Sequence, residues 1–204
     1  MTRSNEFAVI GKTTSKIDAI AKVTGDARFA TDIYLKNMLW ARVMRSTVAH
    51  ARIVSINTEK AKKLKGVKAV LTAADMPDGK YGALVLDMAV FAQDKVRYIG
   101  EAIAAVAAID EKTAAAAVDL IEIEYEELPA VFDPLEAMQP EAPVIHDDLA
   151  AYTTLFERTE HAMTGNVNYQ SNINSGDIEA GFAEADFIFE DTYEVQKQHP
   201  SYME

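Results

Sequence analysis

The sequence predicts an α/β (α+β) fold that is built from two strand–helix–strand units. The clearer unit spans residues 103–131 and begins with an unbroken apolar run, Ile103 to Ile109. A run of this length and composition is typical of a strand that is covered on both faces. Residues 52–72 show the same strand–helix–strand pattern without repeating the sequence. We therefore expect two such units on a mixed sheet.

The first unit has a well-marked helix and a second strand. Asp110 supplies an N-cap carboxylate and Glu111 a first-turn negative charge, and both favour a helix start. Apolar residues then recur at helical spacing, at Ala114, Ala117, Val118 and Ile121. From 121 to 126 apolar residues alternate with glutamates, which is the period of a half-exposed strand. The helix should bury one stripe of its surface.

The second unit is shorter. A strand is expected at 52–56, and Asn57 or Thr58 can cap the helix that follows. Gly66 stands where a left-handed residue would end that helix, and residues 67–72 resume a strand.

Other elements flank these units. Strands are predicted at 27–33 and 39–44, a helix near 178–185 that Asp177 caps, and a long strand at 187–198. One helix and one strand cannot bury a core of their own, so the C-terminal piece should dock elsewhere.

Composition excludes several classes of partner. The formal net charge of −12 argues against nucleic acid and anionic membranes, because no basic excess is available. The absence of cysteine excludes disulfides, iron–sulfur ligation and thiolate zinc sites. No apolar run approaches ~18 residues, and the first residues lack the apolar core of a secretion signal. We expect a cytoplasmic protein.

The sequence contains no recognisable set of catalytic residues. Its four histidines are His50, His146, His161 and His199. None pairs with another at i+2, i+3 or i+4, so we expect no metal site and assign them ordinary structural roles. His146 with the two following aspartates could form an acid/base cluster, but a loop turn is favoured because aspartates occur often in turns.

Two further patterns also favour structural interpretations. The acidic run could suggest a cation site, but a water-facing strand face is favoured for Glu122, Glu124, Glu126 and Glu127. Gly79 and Gly82 do not form a phosphate-binding loop, and no G-x-S-x-G motif surrounds a serine.

Five segments, taken in order, resemble a known family. They are VTGDARFATDI (23–33), RSTVAHARIVSINTEKA (45–61), GVKAVLTAADMP (66–77), DKVRYIGEAIAAVAAIDEKTAAAA (94–117) and GDIEAGFAEADFIFEDTYEVQKQHPSYME (176–204). The first four resemble the N-terminal region of molybdenum hydroxylase large subunits, the xanthine dehydrogenase and aldehyde oxidase family that includes 4-hydroxybenzoyl-CoA reductase. The fifth is similar to the start of that family's molybdopterin-binding region, where the pattern H-x-x-M-E occurs.

This resemblance, together with the polar composition of the first residues and of the stretch after Met138, implies a domain organisation. Residues 1–22 would be an N-terminal arm and 23–140 the family's a/b hammerhead domain. Residues 141–175 would be a connector, and 176–204 the first, incomplete part of a molybdopterin-binding domain.

The resemblance also implies a role. A complete assembly would hydroxylate an aldehyde or N-heterocycle, or reduce an aromatic CoA thioester, at a molybdopterin (Mo) cofactor. The pterin-binding loops and the catalytic glutamate lie downstream in the family, and iron–sulfur clusters and flavin (FAD) lie on other domains or subunits. We therefore expect no catalytic residue, metal or cofactor in this chain alone, and an inactive isolated chain. His199 and Glu204 fill the H-x-x-M-E pattern and lie nearest the cofactor by resemblance, although a structural role is favoured.

The expected partners follow from the same comparison. They are the remainder of the molybdopterin-binding subunit and the iron–sulfur and flavin subunits, and we expect a homodimer when the chain is alone. The alternative is a stand-alone hammerhead-fold binding or interaction module without enzymatic activity. A nucleotide-binding α/β domain is disfavoured because the phosphate loop is absent.

Overall fold

The structure of the chain is a computed structural model, and it describes residues 10–83, 85–154, 165–168, 170, 173–196 and 198. It divides into two compact units. One contains the described residues up to Lys36 and those from Glu190, and the other runs from Asn37 to Phe189. The first unit has one short helix, α1 (Ala19–Thr24), which ends at Gly25 in the left-handed conformation and has no buried residue. The 3₁₀ turn Ala30–Asp32 also lies in the first unit, and the strands and helices that follow lie in the second.

The second unit contains eight described strands and four described α-helices. The strands are β1 (Trp40–Arg45), β2 (Ala51–Asn57), β3 (Val67–Thr72), β4 (Val85–Leu86), β5 (Lys95–Val96), β6 (Ala102–Ala108), β7 (Glu122–Glu127) and β8 (Thr153–Thr154). The helices are α2 (Glu59–Lys63), α3 (Glu111–Val118), α4 (Pro134–Ala137) and α5 (Ile178–Glu184). Most of the predicted strands and helices of the two strand–helix–strand units are therefore confirmed to within one or two residues.

The strands form two three-stranded sheets, ordered β1-β6-β3 and β5-β2-β7, and a small β4-β8 pair. Every strand pairing among the described residues is antiparallel, so the expected mixed sheet is wrong. The reason is that α2 and α3 each carry the chain from one sheet to the other. The two strands of a unit therefore never pair with each other. Instead, the first strand of each unit pairs with the second strand of the other, β2 with β7 and β6 with β3.

The main core lies where α2 and α3 cover the β1-β6-β3 sheet. Its buried residues are Ala61, Val70, Ala104, Val106, Ala117 and Ile121. A second cluster, beside the β5-β2-β7 sheet, consists of Ala51, Ala92, Val96 and Ile103. β6 contributes to both clusters, which explains its unbroken apolar sequence. The predicted buried stripe of α3 is confirmed, because Ala114 and Ala117 are buried on it.

Two predicted strands are absent. Residues 27–33 form a 3₁₀ turn, Ala30–Asp32, in which the Asp32 carboxylate accepts the N–H of Phe29 at 3.0 Å. This local side-chain bond competes with strand pairing. The strand expected at 187–198 is also wrong for the described residues of that range, none of which is in a strand. None of the described strands pairs with these residues, so the hydrogen bonds that define a strand are not made.

Helix caps follow the sequence closely. Asp110 accepts the N–H of Thr113 at 2.7 Å, and Asp177 accepts that of Ala180 at 2.9 Å, as predicted. At α2, Thr58 occupies the N-cap position without a side-chain cap bond, and it is Asn57 whose Oδ1 accepts the N–H of Glu59 at 3.1 Å.

Replacing the α3 cap should lower stability. Asp110→Ala removes the carboxylate that satisfies the first-turn N–H groups and favours the positive end of the helix. We expect a lower urea midpoint. The matched control is Asp119→Ala at the other end of α3, where a negative charge opposes the helix dipole, so its midpoint should stay or rise. Equal losses for both variants would contradict the capping role.

Candidate functional site

A cavity of about 640 Å³ opens between the loop 80–94, the turn 97–102 and the segment 146–148 of the second unit. Its lining is strongly charged. The cationic residues are Arg45, Lys80 and Arg97, and the acidic residues are Asp87, Asp94, Glu101 and Asp148. His146 and Tyr98 also line it. Its concave shape and its many titratable side chains make this cavity the candidate functional site.

The turn before β6 forms one side of the cavity and is held by backbone hydrogen bonds. Gly100 donates its N–H to the Ser46 carbonyl at 2.8 Å, and Ser46 donates to the Glu101 carbonyl at 2.8 Å. Arg45 Nη1 donates to the Gly100 carbonyl at 2.8 Å. Gly100 has a φ of 93°, a conformation that favours glycine. The end of β1 thus fixes this turn.

Glu101 and Arg97 define the charge on that side. The Arg97 N–H donates to Glu101 Oε2 at 2.5 Å, yet burial of the Glu101 carboxyl raises its pKa above the ordinary value. The Arg97 guanidinium donates to the Lys95 carbonyl at 3.1 Å and lies 3.7 Å from Asp94. Its Nε is buried and makes no hydrogen bond within the described structure. The Arg97 guanidinium is therefore positioned by the Lys95 carbonyl and by the neighbouring Asp94 carboxylate.

A half-buried ion pair lies next to residues that line the cavity. The Lys95 side chain is only 6% exposed, and its Nζ lies 2.7 Å from Asp147 Oδ2. The hydrogen bond from Lys95 lowers the pKa of Asp147. This pair joins β5 to the segment 146–148, and so places His146 beside the cavity.

His146 and Lys80 both contact Tyr152. His146 Nδ1 lies 3.1 Å from the Tyr152 hydroxyl, and the two rings make an edge-to-face contact with centroids 5.7 Å apart. Burial lowers the pKa of His146, so this imidazole favours its neutral form. Lys80 Nζ lies 3.9 Å from the centre of the Tyr152 ring, within cation–π range.

Of the residues that the sequence singled out, His146 and Asp148 line this cavity, whereas His50 and the acidic run of β7 do not. His50 is buried, and its Nδ1 donates to the Pro129 carbonyl at 2.6 Å, which is a structural bond between the start of β2 and the segment after β7. His146 contacts Tyr152, while its neighbour Asp147 pairs with Lys95. The other two histidines and Glu204 lie outside the described residues: His161, His199 and Glu204.

The acidic run of β7 is exposed, as predicted, but its side chains also meet those of β2 and α2. Glu122 pairs with Lys60, and Glu126 Oε2 lies 3.3 Å from Arg52 Nε. Ser55 donates to Glu124 at 3.3 Å. In the part of the chain that the structure describes, no group of three or more His, Asp or Glu side chains could hold a metal ion.

The sequence did not reveal the cavity residues Arg45, Arg97 and Glu101, or Lys95 beside them. Their neighbours are far away along the chain, and their types are common on surfaces. Lys95 is the clearest case, because a lysine is rarely buried unless it is paired, and its partner lies 52 residues away. The only local signal is that Lys95 and Arg97 flank Val96 in a short segment.

Comparison with known proteins identifies the family. A family model described as "Aldehyde oxidase and xanthine dehydrogenase, a/b hammerhead domain" matches residues 24–129, which is more than half of the chain. The chain belongs to this family. The resemblance predicted from the sequence and the α/β hammerhead fold class are thereby confirmed.

Several curated relatives match almost the whole chain. A probable xanthine dehydrogenase subunit of Bacillus subtilis (strain 168) is 40% identical over 92% of this chain and 23% of its own length. The nicotinate dehydrogenase large molybdopterin subunit of Eubacterium barkeri is 37% identical over 94% of this chain and 42% of its own. The carbon monoxide dehydrogenase large chain of Afipia carboxidovorans is 35% identical over 99% of this chain and 25% of its own. The hammerhead-family chain therefore spans less than half of the length of each of these relatives.

Solved structures agree with this assignment. A Cu,Mo-CO dehydrogenase superposes with a TM-score of 0.67 at 36% identity, over 87% of this chain and 23% of that one. The aldehyde oxidoreductase from Desulfovibrio desulfuricans gives 0.59 at 32% identity, over 67% and 17%.

The lining of the candidate cavity does not fit the molybdopterin cofactor that these names imply. The 640 Å³ cavity places four carboxylates against three cations, a lining that suits a phosphate-bearing ligand poorly because the carboxylates repel it. No step of a reaction is assigned to the hammerhead residues for this reason. In the described ranges no helix is both long enough and apolar enough to span a bilayer.

Proposed function

We propose that this chain is the hammerhead portion of a molybdenum hydroxylase large subunit and that its role is architectural. It would cover the molybdopterin-binding region, line part of the approach to the substrate, and contact partner subunits that carry iron–sulfur clusters and FAD. The complete assembly would hydroxylate an aldehyde or N-heterocycle, or reduce an aromatic CoA thioester. We further propose a cytoplasmic location, which the absence of cysteine fits.

One observation carries this proposal. Between 92% and 99% of the chain matches xanthine dehydrogenase, nicotinate dehydrogenase and carbon monoxide dehydrogenase subunits, yet the match covers only 23% to 42% of their length. The parts of those proteins that lie beyond the match are the natural place for the pterin loops and the catalytic base. The domain boundaries at 140 and 175 remain predictions within this proposal.

The C-terminal end of the second unit supports a contact with further sequence. α5 and the residues after it form an open apolar groove of about 320 Å³, whose large side chains are Ile178, Phe182, Phe187, Ile188 and Phe189. Phe187 is 80% and Phe189 92% exposed. A contiguous exposed aromatic cluster of this kind marks an interaction surface. We therefore propose that this groove, hereafter the α5 groove, binds the next part of the large subunit, and that an isolated chain dimerises through it.

Reconstitution tests the proposal. The chain is co-expressed with the part of the Bacillus subtilis relative that lies beyond its match, in cells that make the cofactor. We expect the two polypeptides to co-purify and to hold molybdenum by elemental analysis, while the chain alone holds none. Phe182→Ser and Phe187→Ser should weaken co-purification at least about tenfold, because they remove aromatic contacts that the complex would bury. The control Val54→Ser changes an exposed apolar residue of β2 and should have little effect.

Other outcomes would contradict the proposal. Stoichiometric molybdenum in the chain alone would mean that it forms a cofactor site by itself. A chain that stays monomeric at tens of micromolar and binds no part of the Bacillus subtilis relative would favour the stand-alone interaction module instead.

A further inference from the structure

The β1-β6-β3 sheet has one face that the helices leave uncovered. The strand register places Val43 and Leu71 on either side of Ala105, and Ala41 and Ala69 on either side of Ala107. Side chains alternate between the two faces of a strand, and the intervening residues of β6, Ala104 and Val106, belong to the core under α2 and α3. Beyond Ile103, which lies on this other face of β6 but is buried in the second cluster, the rest of the face consists of two rows of three residues. We call it the outer face: Ala41, Val43, Ala69, Leu71, Ala105 and Ala107.

Every residue of the outer face is apolar. An antiparallel sheet that faces water on one side normally carries polar residues there. The other sheet of this chain follows that rule, because the exposed positions of β2 and β7 include Arg52, Ser55, Glu122, Glu124 and Glu126. On the outer face, by contrast, Val43 is 37% and Leu71 39% exposed, with only alanines between them. The exposed face of β2 and β7 therefore has the composition of a protein surface, whereas the outer face has the composition of a protein interior.

We propose that an apolar helix from the part of the large subunit beyond the matched region covers the outer face. This inference rests on the proposed function. Three strands at about 4.8 Å spacing and two rows of side chains at about 6.6 Å give a face of roughly 14 by 13 Å, close to the footprint of two turns of one helix. The four alanines of the outer face leave room for a helix to approach the backbone closely.

The size of the outer face favours a covalently connected cover. Its area is roughly 200 Å², whereas a stable interface between separate proteins buries about 800 Å² on each partner. A second copy of the chain or a free partner would have to offset the loss of translational and rotational freedom with this small area. A helix within the same polypeptide loses much less freedom, because it is already tethered. The relatives are more than twice as long as the matched region and supply the necessary sequence.

Thiol labelling can test this directly, because the chain has no cysteine. Val43→Cys and Leu71→Cys place a thiol on each edge strand of the outer face, and Val54→Cys places one at an exposed valine of β2. Each variant is prepared as the chain alone and as a fusion to the remaining length of the Bacillus subtilis relative. Alkylation by N-ethylmaleimide is followed by peptide-resolved mass spectrometry, so that native cysteines of the fusion do not interfere.

We expect V43C and L71C to react freely in the chain alone and at least about tenfold more slowly in the fusion, since a covered site reacts only on local opening. The V54C thiol should change by less than about twofold over the same comparison. Equal reactivity of V43C and L71C in both forms would overturn the inference, as would equal slowing of V54C. Protection that appears in the chain alone as its concentration rises would overturn it too, by assigning the outer face to a second copy.

The molybdenum content of the fusion separates this inference from the proposed function. A fusion that holds molybdenum while V43C and L71C stay reactive would leave the proposed function intact and reject the covering helix. A fusion that folds and protects the outer face without holding molybdenum would reject the proposed function and leave the covering helix intact.

Discussion

Ala117→Asp should destabilise the second unit by about 3–5 kcal/mol, the largest effect that we expect from a single substitution. Ala117 is completely buried on α3, in the cluster that contains Ala61, Ala104 and Val106. No cationic side chain belongs to that cluster, so a new carboxylate would be buried without a partner or would have to take up a proton. Urea unfolding followed by far-UV circular dichroism measures the loss.

Two controls isolate burial from other effects. Ala116→Asp makes the same change at the neighbouring, exposed position of α3 and should cost only about 0.5 kcal/mol, the difference in helix propensity. Glu124→Ala removes an exposed side chain of β7 and should stay within roughly 0.5 kcal/mol. Urea midpoints that are similar for Ala117→Asp and Ala116→Asp would show that the assigned faces of α3 are wrong.

The elements of the two strand–helix–strand units could be predicted because their signals are local. The apolar run of β6, the cap at Asp110 and the helical spacing on α3 each lie within a few residues of one another. The pairing of those elements could not be predicted in the same way. Whether β6 pairs with β3 or with β7 depends on how two distant segments pack, and no local pattern distinguishes a crossover within one sheet from a crossover between two. The predicted mixed sheet was wrong because it assumed that the two strands of each unit belong to the same sheet.

The two strands that were wrongly predicted show the same limit. Residues 27–33 and 187–198 have strand-like composition, but a strand also needs a neighbour. At 27–33 a carboxylate three residues away from Phe29 offers its N–H a closer acceptor. At 187–198 the described residues pair with no described strand, so composition alone does not produce one.

The cavity could not be predicted because its contacts join distant parts of the chain. Arg45 reaches Gly100 across 55 residues, and Lys95 reaches Asp147 across 52. Each of these residues is unremarkable in its own neighbourhood. The candidates that the resemblance supplied, His199 and Glu204, lie outside the described residues and stay predictions.

The pair of Lys95 and Asp147 gives the second large expected effect. Asp147→Asn leaves the Lys95 ammonium, which is 6% exposed, without its carboxylate. After Lys95, the nearby Arg97 guanidinium also lowers the pKa of Asp147, so more than one cation favours the charged carboxylate. We expect a loss of about 1.5–2 kcal/mol, at the lower end for a hydrogen bond to a charged group. It is limited because the Asp147 side chain is 66% exposed and water can replace part of the interaction.

A compensating variant and a control make this prediction specific. Lys95→Met keeps the length of the side chain and removes the buried charge, so the double variant with Asp147→Asn should recover most of the lost stability. Asp148→Asn makes the same chemical change at the adjacent, exposed residue and should stay within roughly 0.5 kcal/mol. A double variant no more stable than Asp147→Asn alone would mean that the unpaired ammonium is not the cause of the loss.

The pH dependence supplies an independent test of the same pair. Because the hydrogen bond from Lys95 lowers the pKa of Asp147 in the folded chain, the carboxylate binds protons more weakly there than in the unfolded chain. Its contribution is therefore fully present above the unfolded pKa of about 3.9, and it is lost as the pH falls through the lower folded pKa. The difference in unfolding free energy between the parent chain and Asp147→Asn should be constant from pH 7 to about 5 and should shrink below about pH 4. A difference that persists unchanged at pH 3 would show that Asp147 contributes through something other than its charge.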